Sequence, residues 1–277
     1  MRLIDVHHLG QEKVICCCEA DGVLIDPGPQ SCEETLVAAL GDVRPRAILL
    51  THIHFDHAGV SGALVRRWPD LPVYVHEVGA PHLADPERLV RSATRLYGEE
   101  DMQRLWGEVV PVPEGNLRVL TGGEREIEGA YTAEYTPGHA SHHVSYLHEA
   151  ERWAYVGDVA GVRIPPSELV LAPTPPPDID VAAWDRSIDT VAGWRPERLV
   201  ITHFGAVDDP EPHLDRCREA LHEEARLVGT HDEESFIALM DERVRAEAGE
   251  VAEQVAQAVP YHHIWKGLHR WHSKQGG

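Results

Sequence analysis

The strongest constraint on this chain is a run of four metal-binding side chains within six positions. Residues 46–50 read Arg-Ala-Ile-Leu-Leu, which predicts a buried strand, and residues 60–68 predict a helix, so the run lies at a strand-to-helix corner. It has the form HxHxDH, and its members are His52, His54, Asp56 and His57. Two histidines two positions apart can converge on one ion, while Asp56 and His57 point elsewhere and can hold a second. Imidazole and carboxylate ligands suit zinc, and also iron or manganese.

Three later positions repeat one arrangement, an apolar strand that ends in a metal-binding side chain. His139 follows Thr-Pro-Gly, where the Pro-Gly pair forces a turn, Asp158 follows Tyr-Val-Gly, and His203 follows Val-Ile-Thr. Each alone is weak evidence, because such residues are common in turns. Ligands at the ends of different strands are, however, how α/β scaffolds gather a site at one edge. The three positions can therefore complete the shells that the HxHxDH run begins.

The chain as a whole predicts a layered α/β fold followed by helices. The predicted strands are residues 2–6, 13–19, 22–26, 46–50, 117–120, 131–135, 143–147, 153–157 and 198–202. Residues 77–106 predict short helices that form a pocket wall. Residues 164–178 contain six prolines and predict a loop that shapes a substrate pocket. From Pro210 onward the sequence looks wholly helical.

Helix starts are predicted from capping residues. Ser31 with Glu34, and Thr230 with Glu233, form capping boxes, while Asp180 caps a helix that ends near residue 193.

Composition excludes several classes of protein. A net charge of −21 repels phosphate backbones, so we expect no nucleic-acid partner. We expect no membrane partner either, because no apolar run approaches the roughly 20 residues of a span. The N-terminus lacks a signal-peptide pattern. Five cysteines, three of them consecutive at 16–18, indicate a buried strand instead of a disulfide framework. We interpret the chain as a cytoplasmic protein.

Four motifs together resemble the metallo-β-lactamase superfamily: HxHxDH at 52–57, TPGH at 136–139, GD at 157–158 and TH at 202–203, in the family's order. The resemblance implies a four-layer αββα sandwich, an α/β (α+β) fold, with the metals at one edge of its two sheets. We expect residues 1–208 to form this catalytic domain and residues 209–277 to form a C-terminal helical extension packed on it.

The resemblance also implies roles for individual residues. One metal would be held by His52, His54 and His139, and the other by Asp56, His57 and His203, with Asp158 bridging the two. Asp26, in Asp-Pro-Gly, and His143 would support the ligands from behind. The sequence departs from the GHTxGH form of glyoxalase II and lactonases at Ala140 and His142.

These assignments predict a binuclear hydrolase that carries two divalent transition metals, zinc first, with iron or manganese as alternatives. A metal-bridged hydroxide would attack a small carbonyl substrate, an ester, thioester or lactone, and Asp56 would orient the nucleophile or carry a proton. One alternative is a mononuclear iron dioxygenase that acts on persulfides, and another is a binding protein with a dead site. The sequence is compatible with a homodimer.

The segment 261–272 is rich in His and Trp. Ile264, Leu268 and Trp271 recur at helical spacing, which favours an amphipathic helix docked on the domain over a metal or substrate role. Two positions, in a pocket wall or in the core, are compatible with the sequence for Tyr97, Trp106 and Trp184.

Overall fold

Two β-sheets form the centre of the protein in a computed structural model that describes residues 1–275. The first sheet has six strands, which lie in space in the order of the sequence. They are β1 (Arg2–Asp5), β2 (Cys16–Ala20), β3 (Val23–Ile25), β4 (Ala47–Leu49), β5 (Val73–His76) and β6 (Leu117–Leu120). The first three pair antiparallel, and β3 to β6 run parallel.

The second sheet has five strands in the order β11-β10-β9-β8-β7. They are β7 (Tyr131–Tyr135), β8 (Val144–His148), β9 (Trp153–Tyr155), β10 (Arg198–Ile201) and β11 (Gly205–Val207). Strand β10 runs parallel to β9, and the other pairs are antiparallel. The sequence patterns located nine of these eleven strands and missed β5 and β11, which have only four and three residues.

Helices cover the outer face of each sheet. They are α1 (Glu33–Leu40), α2 (Phe55–Ala58), α3 (Ser61–Arg67), α4 (Ala80–Ala84), α5 (Glu87–Tyr97), α6 (Glu99–Trp106), α7 (Val181–Gly193), α8 (Pro210–Val228), α9 (Glu233–Ala248), α10 (Ala252–Ala258) and α11 (Tyr261–Gln275). No helix within residues 1–275 is long and apolar enough to cross a membrane.

The layers follow from the alternation of side chains along each strand. In β4, Ala47 and Leu49 face the core between the two sheets, whereas Ile48 faces the core under α1 and α3. A third core lies outside the second sheet, where α7, α8 and the later helices pack. The predicted αββα sandwich is therefore confirmed. The consecutive cysteines lie buried in β2, as predicted.

The last four helices share the core of the second sheet. One buried cluster contains Val156, which directly follows β9, together with Val244, Ile264 and Leu268 of the C-terminal helices. The predicted docking of the tail helix is confirmed for Ile264 and Leu268, which are fully buried, and Trp271 is half-buried against the same core. The boundary between residues 208 and 209 stays a prediction.

Two predicted helix caps are wrong. Helix α1 begins two residues after Ser31, whose hydroxyl donates to the carbonyl of Leu105. Helix α9 is capped by Asp232, which accepts a hydrogen bond from the Ser235 amide, in place of Thr230. Asp232 therefore displaces Thr230 as a cap, whereas α1 has no side-chain cap. The Asp180 cap of α7 is present as predicted, accepting from the Ala183 amide at 2.9 Å.

Candidate metal centre

Seven side chains that the sequence singled out lie together at one edge of the two sheets. They come from the segment after β4, from α2, and from the turns after β7, β9 and β10, and they form three overlapping groups of potential ligands. The members are His52, His54, Asp56, His57, His139, Asp158 and His203.

Three imidazoles form the first group. The Nε2 atoms of His52 and His139 are 3.2 Å apart, and each lies 3.0 Å from Nδ1 of His54. The far nitrogen of His139 donates to the Pro173 carbonyl at 2.7 Å. The far nitrogen of His52 lies 3.0 Å from the Thr51 hydroxyl, which already donates to a carboxylate and therefore accepts here. Each Nε2 atom therefore carries a lone pair, and the two lone pairs face each other. A cation would stabilise this arrangement.

The second group combines two imidazoles with a carboxylate. Oδ2 of Asp56 lies 3.4 Å from Nε2 of His203 and 3.7 Å from Nε2 of His57. The far nitrogen of His203 donates to the Val14 carbonyl at 2.6 Å. Nε2 of His57 is buried and has no hydrogen-bond partner within the described chain. This group also presents ring nitrogens whose orientation is fixed from behind.

Asp158 lies between the two groups. Its Oδ2 is 3.4 Å from Nε2 of His139, on the first group's side. Its Oδ1 is 3.3 Å from Nε2 of His57 and 3.7 Å from Nε2 of His203, on the second group's side. Each carboxylate oxygen therefore faces a different group, which is the placement that a bridging ligand needs.

Burial and charge shift the pKa of these side chains in opposite directions. Burial, followed by the neighbouring imidazoles, lowers the pKa of His52. Burial also acts against protonation of His57, but the carboxylates of Asp158 and Asp56 outweigh it and raise the pKa. The anionic groups thus draw positive charge to the second group. A metal ion there competes with a proton, so its binding is expected to release protons.

Asp26 supports the site from the end of β3. Its two carboxylate oxygens accept from the amide and the hydroxyl of Thr51, from the Thr202 hydroxyl and from Nδ1 of His57, at 2.7 to 2.9 Å. These contacts tie the segments after β3, β4 and β10 to one buried anion. They also leave Nε2 of His57 free to face the site. Asp26 thus lies directly behind His57, and its supporting role stays a prediction.

His143 lies behind His52, one of the potential ligands. Its ring stacks on that of His52 with centroids 5.1 Å apart, and its Nδ1 pairs with the Thr136 hydroxyl at 3.0 Å. Its Nε2 has no partner within the described chain, so it supports the ligand by packing and not by a hydrogen bond. His142, which the sequence marked only as a departure, packs edge-on to His54 at 5.7 Å.

Two glycines hold the ligands in place. A side chain at Gly138, where φ is 134°, would overlap the backbone of Trp184 in α7. One at Gly157, where φ is 46°, would overlap the Thr51 hydroxyl. Both precede a ligand directly, His139 and Asp158, so the residue pairs GH and GD reflect backbone crowding as well as chemistry.

A cavity of about 290 Å³ opens onto the second group. Its walls come from α5, α6, residues 173–177 and the start of α11, which confirms both predicted pocket walls. Tyr97 and Trp106 line it, whereas Trp184 is a core residue whose indole donates to the Val159 carbonyl.

The tail helix also lines this cavity, through His263 and Ile264. The docked helix therefore also supplies part of the cavity wall. Sequence reasoning also missed His8 and Gln257, which lie 249 positions apart and pair side by side on the cavity wall. No local pattern could have found that pair.

The αββα layers, with a cluster of metal-binding side chains at one edge, are typical of a class of metal-binding sandwich proteins. A sequence model described as the metallo-beta-lactamase superfamily matches residues 19–203, and the chain belongs to this superfamily.

Individual relatives share part of the chain. It is similar to the metallo-beta-lactamase fold-containing protein ST1585 of Sulfurisphaera tokodaii, with 29% identity over 60% of this chain and 64% of that protein. The probable metallo-hydrolase YflN of Bacillus subtilis is 31% identical over 65% of this chain and 74% of its own. A hydroxyacylglutathione hydrolase of Hamiltonella defensa is 41% identical, but over only 27% of this chain and 30% of its own.

Solved structures agree on the fold. The crystal structure of ST1585 from Sulfolobus tokodaii superimposes with a TM-score of 0.67 over 93% of both chains at 22% identity. TTHA1623, solved in a di-iron-bound form, has a TM-score of 0.50 and 27% identity over 72% of this chain and 89% of its own. Because ST1585 is only 22% identical to this chain, its structure supports the fold assignment alone.

Proposed function

We propose that this protein is a binuclear metal-dependent hydrolase that cleaves a small ester, thioester or lactone. The observation that carries the proposal is the pair of donor groups joined by Asp158, with the lone pairs of His52, His139, His57 and His203 facing inward. Within the described chain Nε2 of His57 and Oδ1 of Asp158 are buried without a hydrogen-bond partner, which is costly unless a cation binds them.

The donor set fits two divalent transition ions. One ion would be held by His52, His54 and His139, the other by Asp56, His57 and His203, and Asp158 would bridge them. Such ligands favour zinc and also accept iron or manganese, and the di-iron form of TTHA1623 supports iron as an alternative. When bound, the ions lower the pKa of a water and polarise a carbonyl group.

Asp56 is the ligand best placed for proton transfer. Its side chain is 21% exposed, more than those of His57, Asp158 and His203, and it lines the cavity. In hydrolysis, water adds to the acyl carbon, the bond to the leaving oxygen or sulfur breaks, and that atom takes up a proton. We assign to Asp56 the transfer of this proton.

The environment of the protein is part of the proposal. We propose a small carbonyl substrate, no nucleic-acid or membrane partner, and a cytoplasmic location. The net charge of −21 and five buried thiols without a disulfide support these assignments. A homodimer stays a prediction.

The test compares metal content with activity. We expect wild-type protein purified without chelator to carry close to two transition ions per chain by elemental analysis. His203→Ala opens one donor group, so it should retain close to one ion. It should lose hydrolysis by more than about 100-fold, because even residues behind a ligand typically cost about 10–100-fold. His222→Ala, a change at an exposed histidine outside the site, is the matched control.

The dioxygenase alternative predicts the opposite result. In a mononuclear iron oxygenase Asp158 would be one of three ligands, and His57 and His203 would not be needed. If His203→Ala kept its iron and consumed oxygen with a persulfide, the hydrolase proposal would be wrong.

A further inference from the structure

The cavity beside the candidate metal centre has a mostly apolar wall. Beyond the ligands, it is built by side chains such as Phe55, Leu89, Ala93, Pro175 and Ile264. Among the described residues that line it, none is lysine or arginine. The anions on its floor are Asp56 and Asp158, whose charges the metal ions would offset.

Three polar side chains on this wall, those of His8, Gln257 and Thr174, are already paired. The His8 ring hydrogen-bonds the Leu105 carbonyl through Nε2 at 2.9 Å and receives the Gln257 amide at Nδ1. The Thr174 hydroxyl donates to the Ile264 carbonyl. These groups brace the wall and are not free to recognise a ligand.

His263 differs from them. It lies in the first turn of α11, lines the cavity and is 6% exposed, and its Nε2 is buried without a partner in the described chain. Its ring packs edge-on to Tyr97 with centroids 5.2 Å apart. A half-turn about Cβ–Cγ exchanges ring nitrogens and carbons at nearly constant shape, so the imidazole can present a nitrogen to the cavity without repacking.

Burial, helped by His262, lowers the pKa of His263 to about 3. The ring is therefore neutral at pH 7 and offers one donor and one acceptor. A neutral ring cannot offset the charge of a carboxylate, but it can pair with a carbonyl, ether or amide.

We propose that this cavity selects uncharged substrates with an apolar acyl chain or ring, and that His263 is a specificity residue that hydrogen-bonds a polar atom of the substrate. The inference rests on the hydrolase function proposed above. Without a cationic side chain on the wall, a carboxylate on the substrate would be desolvated without a partner, which is costly. The net charge of −21 adds a general repulsion of anions.

Two matched pairs of substrates test the selection. The first pair is p-nitrophenyl hexanoate and the mono-p-nitrophenyl ester of adipic acid, which differ by a terminal carboxylate. The second pair is hexanoyl-N-acetylcysteamine and hexanoyl-glutathione, which share the acyl group and differ in the charge of the thiol. With metal-loaded protein we expect kcat/KM to favour the uncharged member of each pair by at least about tenfold.

Variants locate the cause. His263→Phe keeps the ring and removes the hydrogen bond, so KM for the hexanoates should rise about tenfold with a smaller change in kcat, while metal content and melting temperature stay near wild type. His263→Gln restores a donor and an acceptor and should recover most of the affinity. Ser92→Arg places a cation at the exposed rim of the cavity and should narrow the preference against adipate, whereas Ser92→Gln should not.

The outcomes separate the two proposals. If metal-loaded wild-type protein hydrolysed none of the four compounds, the ester and thioester hydrolase function would be wrong, and this inference with it. If it hydrolysed the charged and uncharged members equally well, only the selection would be wrong. An unchanged KM in His263→Phe would remove His263 from recognition.

Discussion

Glu224, in α8, is a fully buried carboxyl group that contacts the loop behind the candidate metal centre. Its Oε1 accepts from the Ala172 amide at 3.1 Å, while its Oε2 has no partner in the described chain. The next carbonyl, that of Pro173, accepts from His139. Burial raises the pKa of Glu224 to about 8, so the group is protonated at neutral pH. A protonated carboxyl in this position braces the loop behind a ligand.

This shift makes stability depend on pH. Between the ordinary pKa of 4.5 and about 8, the folded protein retains a proton that the unfolded chain has lost. The contribution is therefore fully present below pH 4.5 and is lost as pH rises through 8. Glu224→Gln, which cannot ionise, should match wild type near pH 5 and exceed it at pH 9 by on the order of 2–4 kcal/mol.

Urea unfolding of both proteins at pH 5, 7 and 9 checks this prediction. The matched control is Glu223→Gln, at the exposed neighbouring position, which should change stability by no more than about 0.5 kcal/mol at any pH. Parallel pH profiles for Glu224→Gln and wild type would show that the buried group keeps an ordinary pKa.

At the scale of elements, the contact between α11 and the proline-rich loop joins stability to the cavity. Gly267 packs on the backbone of the loop so closely that a side chain would overlap the Thr174 carbonyl. One turn earlier, His263 and Ile264 line the cavity. The contact between the helix and the loop therefore has no room for an added methyl group.

Gly267→Ala should separate these elements. We expect it to destabilise the protein by about 1–3 kcal/mol, the usual effect of overpacking, and to raise KM because the cavity wall moves. Gly193→Ala is the control, since a methyl group there meets nothing within 4 Å and should be neutral or stabilising by up to about 1 kcal/mol. Thermal melts and steady-state kinetics of both variants suffice. A wild-type melt for Gly267→Ala would mean that α11 does not rest on this loop.

The sequence predicted elements better than the contacts between them. Strands such as β4 show their burial in the apolar run itself, and the donor side chains directly follow them, so a layered α/β fold and the cluster were accessible. The four-layer sandwich was implied only by the family resemblance. Helix starts were less accessible, because Asp232 competes with Thr230 within two positions. The meeting of Tyr97 with His263 depends on how α11 docks, and no local pattern reports it.

At the scale of the whole molecule, the candidate centre joins the two sheets. His52 and His54 extend from the first sheet, after β4, while His139, Asp158 and His203 extend from the second. Without cations, the facing lone pairs and the carboxylates meet at this edge with little to offset them. Bound ions would therefore act as a link between the two halves of the sandwich.

Removal of metal should consequently lower the melting temperature of the whole chain. Ligand that binds only the folded state stabilises it by RT ln(1 + [L]/Kd), about 2.7 kcal/mol when free ion is at 100 Kd, which corresponds to roughly 5–10 °C for a protein of this size. We expect calorimetry to show this drop between metal-loaded and chelator-treated protein, and to show recovery when zinc is restored. His139→Ala, which removes a donor at the sheet edge, should melt lower than wild type and respond much less to chelator. Equal melting temperatures for loaded and chelated wild-type protein would show that no ion links the sheets.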